Sequence, residues 1–418
     1  MIDFDLPTPV KRQVQFIGML GEQVMRPVAR YYDEHEGERP WEYINLIWQT
    51  VRDQGGRNFS ADTTPKLDKE GKPRPRIGYL MLAHMVEALS WGDAGLYLST
   101  PGSGLGGAAV DATGTPAQKE RFLKRFAEGE PKWSAMAMTE PHAGSDTAAI
   151  RTTARLSDDG SAWILNGEKI FVTSGAMAAR DSQGFVVIWA TLDAKAGRAA
   201  IKPFVVEAGT PGMTVAKLEH KHGIRASDTA SIVLQDCRIP RDNLLGSEEI
   251  ADVRAAGNKG FAGAMRTFDA TRPLVAASAL GITRAALDFT VQYLKERGVT
   301  IHYGLPLHQQ SAVERDLMQM EAQHRAAWLL VLRAVTKMDA GEDNALEASM
   351  SKVKAGQVAN FVAQKAVELL GPEGYSCTLL VEKWMRDARI NDIYEGTGQI
   401  NRLIVARRLL GYSSRELR

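Results

Sequence analysis

The hydrophobic period changes twice along the chain, and those changes limit what it can fold into. In QFIGMLGEQVMRPVARYYDEH, from Gln15, and GYLMLAHMVEALSW, from Gly78, apolar residues recur every three to four positions, as on one helical face. Near Trp133 the pattern turns to alternation, in RTTARLS, AWILNGEKIFVTSG, GFVVIWATL, AIKPFVVEAG, MTVAKLE and ASIVLQDCRIP. From Gly260 the helical period returns in three long stretches, which can bury one another as a bundle. A period of two puts neighbours on opposite faces of a strand and does not line one side of a helix. The expected fold is therefore α+β, with a helical part at 1–135, a β part at 136–255 and a helical bundle at 256–418.

Local signals refine this order. Thr115 is placed to cap a helix that starts at Pro116, with Phe122 and Phe126 one turn apart. Asp158–Gly160 and Asn166–Gly167 read as turns between strands. GGRNFSADTTPKLDKEGKPRPR reads as an exposed loop. The stretch around Pro273 reads as one long helix or as two sharing a kink. GSGLGG, with Gly102, Gly104 and Gly107, imitates a dinucleotide fingerprint, but its flanks are helical, so a connector or a close helix contact is expected.

Composition excludes several functions. Among 418 residues, 51 basic and 50 acidic side chains leave a net charge of +1, too little for a broad field that would hold nucleic acid. Cys237 and Cys377 make neither a disulfide framework nor a metal cluster, and free thiols are expected. His220 and His222 lack partner ligands, and no metal site is expected. The start lacks the pattern of a secretory signal. No run of roughly 18 apolar residues suggests a membrane span, so a cytoplasmic location is expected.

Several residues could carry chemistry. AMAMTEPHAGSD offers Thr139 and Ser145 on a loop before the β part, as ligand-facing hydroxyls or as turn caps. Strand alternation puts Phe171 and Thr173 on one face, either as core or against a planar ligand. Arg272, in an apolar helix, needs a partner, and Asp269 lies one turn earlier. Arg386, Asp387 and Arg389 read as helix-surface ion pairs. Glu395, in NDIYEGTGQI, is either a turn carboxylate or a base on a loop.

GTPAQKERFL, AMTEPHAGSD, LNGEKIFVTSG, KHGIRASDTASIVLQDCRIPRDNLLG, FDATRPLVAASALG and EKWMRDARINDIYEGTGQINRLIVAR, taken in order, resemble the acyl-CoA dehydrogenase family. The resemblance covers roughly 110–411. It implies an N-terminal helical domain, a central β domain, a C-terminal four-helix bundle and non-covalent FAD. It implies flavin contacts by Met138, Thr139, Ser145, Phe171 and Thr173, with Thr397 and Gln399 also reaching FAD. It implies substrate contacts by Ser145, Asp269, Arg272 and Gly396, with Arg272 supporting the active site. Some relatives carry the base directly before the helix arginine. Thr271 stands there and cannot serve, so Glu395 is the implied base.

The implied reaction is desaturation of an acyl-CoA to the trans-2-enoyl-CoA. Glu395 takes the α-proton as the β-hydrogen leaves as hydride to flavin N5. The implied acceptor is an electron-transferring flavoprotein, and the implied assembly is a homotetramer or homodimer. Two stretches depart from the family pattern. KERGVTIHYG has Thr300 near the position of an arginine, keeping Tyr303–Gly304, and ELLGPEG has Glu368 and Pro372 where glutamine and glycine are usual. Both departures concern a flavin site supplied across a subunit interface. They keep open a partner subunit of a heteromeric complex, and an acyl-CoA oxidase of the same fold is a further alternative.

Overall fold

In the computed structural model the described residues are 6–58, 61, 71, 75–250, 262–412 and 416. The expected loop at 55–76 lies mostly outside them. The N-terminal part holds α1 (Thr8–Leu20), α2 (Ala29–Glu34), α3 (Trp41–Asp53), α4 (Gly78–Leu98), α5 (Gly104–Thr113) and α6 (Pro116–Leu123). The first periodic stretch is not one helix. A π turn at Gly21–Met25 and a 3-10 turn at Arg26–Val28 separate α1 from α2, because Pro27 lacks the N–H that a continuing helix needs.

Helix α4 breaks its own geometry at Asp93, whose φ of −166° and ψ of 125° are extended. The Asp93 carboxylate accepts from the Leu96 N–H at 2.9 Å and so caps the second half. Helix α6 starts as read: Thr115 and Gln118 form a reciprocal capping box, and Phe122 and Phe126 are buried together against Phe185. GSGLGG opens α5 without a preceding strand. A Cβ on Gly106 would stand 2.7 Å from the Ala135 carbonyl oxygen, so these glycines serve close helix–strand contact.

The β part consists of β1 (Ser134–Ala137), β2 (Thr153–Leu156), β3 (Ala162–Thr173), β4 (Phe185–Thr191), β5 (Ile201–Glu207), β6 (Met213–Leu218) and β7 (Thr229–Pro240). They form one sheet in the order β1-β4-β2-β3-β7-β6, with β5 on β4. The pairs β2–β3, β3–β7, β4–β5 and β6–β7 are antiparallel, whereas β1–β4 is parallel. The turn at Asp158–Gly160 is present. Asn166–Gly167 is not a turn. It lies within β3 at a bulge, where Gly167 (φ 151°) lets Thr152 approach within 2.5 Å of where a Cβ would stand.

The C-terminal part is α7 (Ala262–Lys295), α8 (Ala312–Ala340), α9 (Ala345–Leu370), α10 (Pro372–Tyr375), α11 (Val381–Ala388) and α12 (Gly398–Leu410). Pro273 lies inside a single α7. Met265–Lys295 is long and apolar enough to cross a membrane by composition, but most of it is buried among its neighbours, as in the core of a bundle. One apolar core runs through all three parts, from Ile17 and Trp48 through Leu165 and Ile232 to Leu280, Val362 and Trp384.

The Arg386–Asp387 pair is not a helix-surface feature. Asp387 is buried with Lys383 and Asp93, and it accepts from the Ile224 N–H. Arg386 pairs with Asp33 and Glu382 and donates to the His222 carbonyl. This network ties α11 to both other parts. Arg389 sits in the exposed turn that follows.

Candidate active site

Glu395 lies on the loop between α11 and α12, in left-handed backbone (φ 56°), and Gly396 follows at φ 89°. Left-handed backbone costs an L-residue about 1–2 kcal/mol, whereas glycine adopts it freely. The loop is clamped from three sides. The Arg272 Nε reaches the Glu395 carbonyl at 3.5 Å, Lys352 donates to the Gly396 carbonyl at 2.6 Å, and Asn401 donates to the same carbonyl at 2.8 Å.

The Glu395 carboxylate accepts the Thr271 hydroxyl at 2.8 Å. Burial pushes its pKa above the ordinary carboxylate range, while the Thr271 hydrogen bond and the charges of Arg272 and Lys352 oppose that rise. Arg272 is buried and pairs with Asp269 at 2.8 Å, and Asn344 holds the Asp269 carbonyl at 3.0 Å. Burial also raises Asp269, with the Arg272 charge opposing. Sequence-predicted Asp269, Arg272, Glu395 and Gly396 are thus brought together. Thr397 caps α12 by accepting from the Ile400 N–H at 3.3 Å, and Gln399 beside it is exposed.

A second cluster forms in the β part. Glu140 and Lys169 are both buried and meet at 2.7 Å. Lys169 also donates to the Met138 carbonyl at 3.0 Å, and the Ile170 N–H donates to the Thr139 carbonyl at 2.9 Å. Glu140 accepts from the Thr152 N–H and hydroxyl and from the Arg151 N–H. Burial pushes the Glu140 carboxyl up, but Lys169 and these donors together hold it below the usual range. Burial pushes the Lys169 ammonium down to about 8, against the pull of Glu140. The pair pins the Met138–Thr139 loop to β3. Glu140 and Asp146 do not converge, because Asp146 caps the short turn at Thr147–Ala149 and is exposed like Ser145.

Simple alternation does not describe Phe171 and Thr173. A register shift lies between Lys169 and Val172, and Phe171 takes φ 55°. Its ring is 61% exposed, and Thr173 is only half-buried, between buried Val172 and Ser174. An exposed aromatic residue in strained backbone, near a half-buried threonine, fits a planar, polar-edged ligand such as the flavin of FAD. The two clusters are linked through apolar contact. Met138, Ala143 and Trp189 pack against Met265 and Phe268, one turn before Arg272, whose guanidinium lies 5.6 Å from the Phe268 ring centroid.

Sequence reading missed Lys169, Lys352 and Asn401 and the support they give. A lysine within the small-residue stripe Ala348, Lys352, Ala355, Ala359 of α9 was the available signal, since a charge on a buried face needs a use. At the departures from the family pattern, Tyr303 donates to Glu321 at 2.5 Å, Glu368 pairs with Lys365 at 2.8 Å, and Pro372 opens α10. Among the described residues, no group of acidic, histidine and cysteine side chains could hold a metal.

Models of the acyl-CoA dehydrogenase N-terminal, middle and C-terminal domains match residues 19–130, 135–237 and 258–410. The acryloyl-CoA reductase (NADH) of Anaerotignum propionicum is 37% identical over 302 residues, 72% of each chain. The 3-(aryl)acrylate reductase of Clostridium sporogenes is 34% identical over 389 residues, 93% of this chain and 95% of the relative. The structure of butyryl-CoA dehydrogenase from Megasphaera elsdenii matches with a TM-score of 0.82 at 34% identity, covering 98% of this chain and 100% of the other.

The three-part fold and its matches define a class, the FAD-dependent acyl-CoA oxidoreductases. The chain belongs to the acyl-CoA dehydrogenase family.

Proposed function

We propose that the chain desaturates an acyl-CoA thioester between Cα and Cβ, with Glu395 as the base that takes the α-proton. One observation carries this reading: a carboxylate with a raised pKa, in left-handed backbone, is clamped beside buried Arg272 and its partly exposed partner Asp269. An ordinary carboxylate, of pKa about 4.3, is a weak base toward carbon, and burial narrows that gap. Thr271 and Arg272 hold the base in place. The Glu395 N–H would donate to the thioester oxygen, where enolate-like charge develops. Asp269, partly exposed beside Arg272, would meet the pantetheine arm, and Ser145 lies exposed on the loop that would meet both substrate and cofactor.

Met138, Thr139, Ser145, Phe171 and Thr173, with Thr397 and Gln399, would hold FAD. When bound, FAD accepts the hydride that leaves Cβ. An electron-transferring flavoprotein is the proposed acceptor, and a homotetramer or homodimer the proposed assembly.

Two relatives are reductases, which favours a second reading: the same site run in the opposite direction, with protonated Glu395 returning a proton to Cα of a 2-enoyl thioester. A raised carboxyl pKa suits either direction.

Anaerobic mixing with a panel of acyl-CoA thioesters tests the proposal, because the substrate should bleach the bound yellow flavin. Glu395→Gln should keep the flavin and lose at least about 100-fold in reduction rate. Unchanged reduction would move the base elsewhere. Reoxidation of reduced flavin by enoyl-CoA tests the reverse direction. Peroxide yield against dye reduction separates an oxidase, and flavin per subunit in the chain purified alone separates a partner subunit of a mixed complex.

A further inference from the structure

Lys352 projects from the first third of α9 and is 1% exposed. Its ammonium donates at 2.6 Å to the Gly396 carbonyl, a neutral acceptor, rather than to a carboxylate. Asn401, from α12, donates to that carbonyl at 2.8 Å and to the Thr397 carbonyl at 3.1 Å. The two donors therefore converge on one peptide of a loop whose two central residues, Glu395 and Gly396, are both left-handed. A buried cation is costly, and an apolar side chain of the same length would pack on α9 without that cost.

We infer that Lys352 is a positioning residue for the base: its buried ammonium fixes the Gly396 carbonyl and so holds the Glu395 carboxylate in place and favours its ionised form. This rests on the reading of Glu395 as the base. Among the described residues, the charged groups acting on Lys352 are Asp392 and Glu395, from the segment before α12, and Arg272 from α7. Burial pushes the ammonium down to about 8, with Asp392 and Glu395 opposing and Arg272 adding to the fall, so the group is still mostly charged at neutral pH. Its charge in turn favours the Glu395 carboxylate.

The holoenzyme tests this through two variants and two readouts. Lys352→Met removes both donor and charge, while Lys352→Gln keeps a donor and removes the charge. Lys352→Met should retain flavin, reduce it about 10–100-fold more slowly at pH 7, and move the acid limb of the rate–pH profile to higher pH. Hydrogen exchange of the 394–398 amides, measured without substrate, should speed about tenfold in Lys352→Met and stay near wild type in Lys352→Gln. The acid limb should still move in Lys352→Gln. A wild-type limb together with wild-type loop exchange in Lys352→Met would overturn the inference. If that variant does not fold, an unmoved limb in Lys352→Gln overturns it instead. Glu395→Gln separates the two readings, because wild-type reduction there removes the base assignment itself.

Discussion

Removing the Lys169 ammonium while keeping its bulk tests the buried link between the Met138–Thr139 loop and β3. In Lys169→Met, Glu140 keeps three donors: the Arg151 N–H at 2.6 Å, the Thr152 N–H at 3.0 Å and the Thr152 hydroxyl at 2.6 Å. It loses the Lys169 ammonium at 2.7 Å, in a place where both partners are almost completely buried, and keeps the His142 ring at 3.5 Å. Breaking a buried pair from one side costs about 3–5 kcal/mol, and the three remaining donors argue for the lower end.

Unfolding entropy near 2.1 cal/mol/K per residue gives about 0.9 kcal/mol/K for a chain of this size melting as one unit. A loss of about 3 kcal/mol then lowers Tm by about 3–4 °C. Adding Glu140→Gln removes the stranded charge and should restore at least half of the loss, because a neutral pair carries no uncompensated ion.

The pH dependence has a definite sign. In the wild type, Glu140 has a folded pKa below its unfolded value, so its contribution is present above the ordinary Glu range and is lost as pH falls through the lowered value. Without Lys169 that contribution largely disappears. The gap in Tm between wild type and Lys169→Met should therefore narrow below about pH 4. Differential scanning calorimetry of both single variants and the double variant provides the assay. A double variant whose loss equals the sum of the singles, with a gap that does not narrow in acid, would refute the coupled pair.

Thr271→Val keeps shape and removes the hydroxyl that Glu395 accepts, so the carboxyl pKa should rise further and the acid limb of flavin reduction should move to higher pH. At pH 6 the rate should fall by about tenfold, the size of a lost hydrogen bond to a charged group, and stopped-flow reduction across pH reads it. Alkylation of the native protein should label Cys377 and spare Cys237. Cys377 is exposed, whereas Cys237 is fully buried and burial pushes its thiol up to about 11. Mass spectrometry should find one label in the native state and two after denaturation.

The chain's own residues carried the helical–β–helical order, the start of α6 at its Thr115–Gln118 box and the Asp269–Arg272 pair. Each of these depends on residues within about four positions of one another, the range over which helix and strand periods and caps operate. Local rules failed where a distant segment intervened. Asn166–Gly167 has the composition of a hairpin turn, yet it lies in a continuous strand because Thr152 packs on the glycine. Phe171 breaks alternation because the β3–β7 register shifts beneath it.

Tertiary structure alone joined Thr271 to Glu395 across 124 positions, Lys352 to Gly396 across 44, and Lys383 to Asp93 across 290. Along the chain each of these is an unremarkable polar residue. Packing removes water from around them, and without water a charge must find its partner wherever the fold brings one. That requirement turned Glu395, from one carboxylate among many, into a clamped acid with a raised pKa.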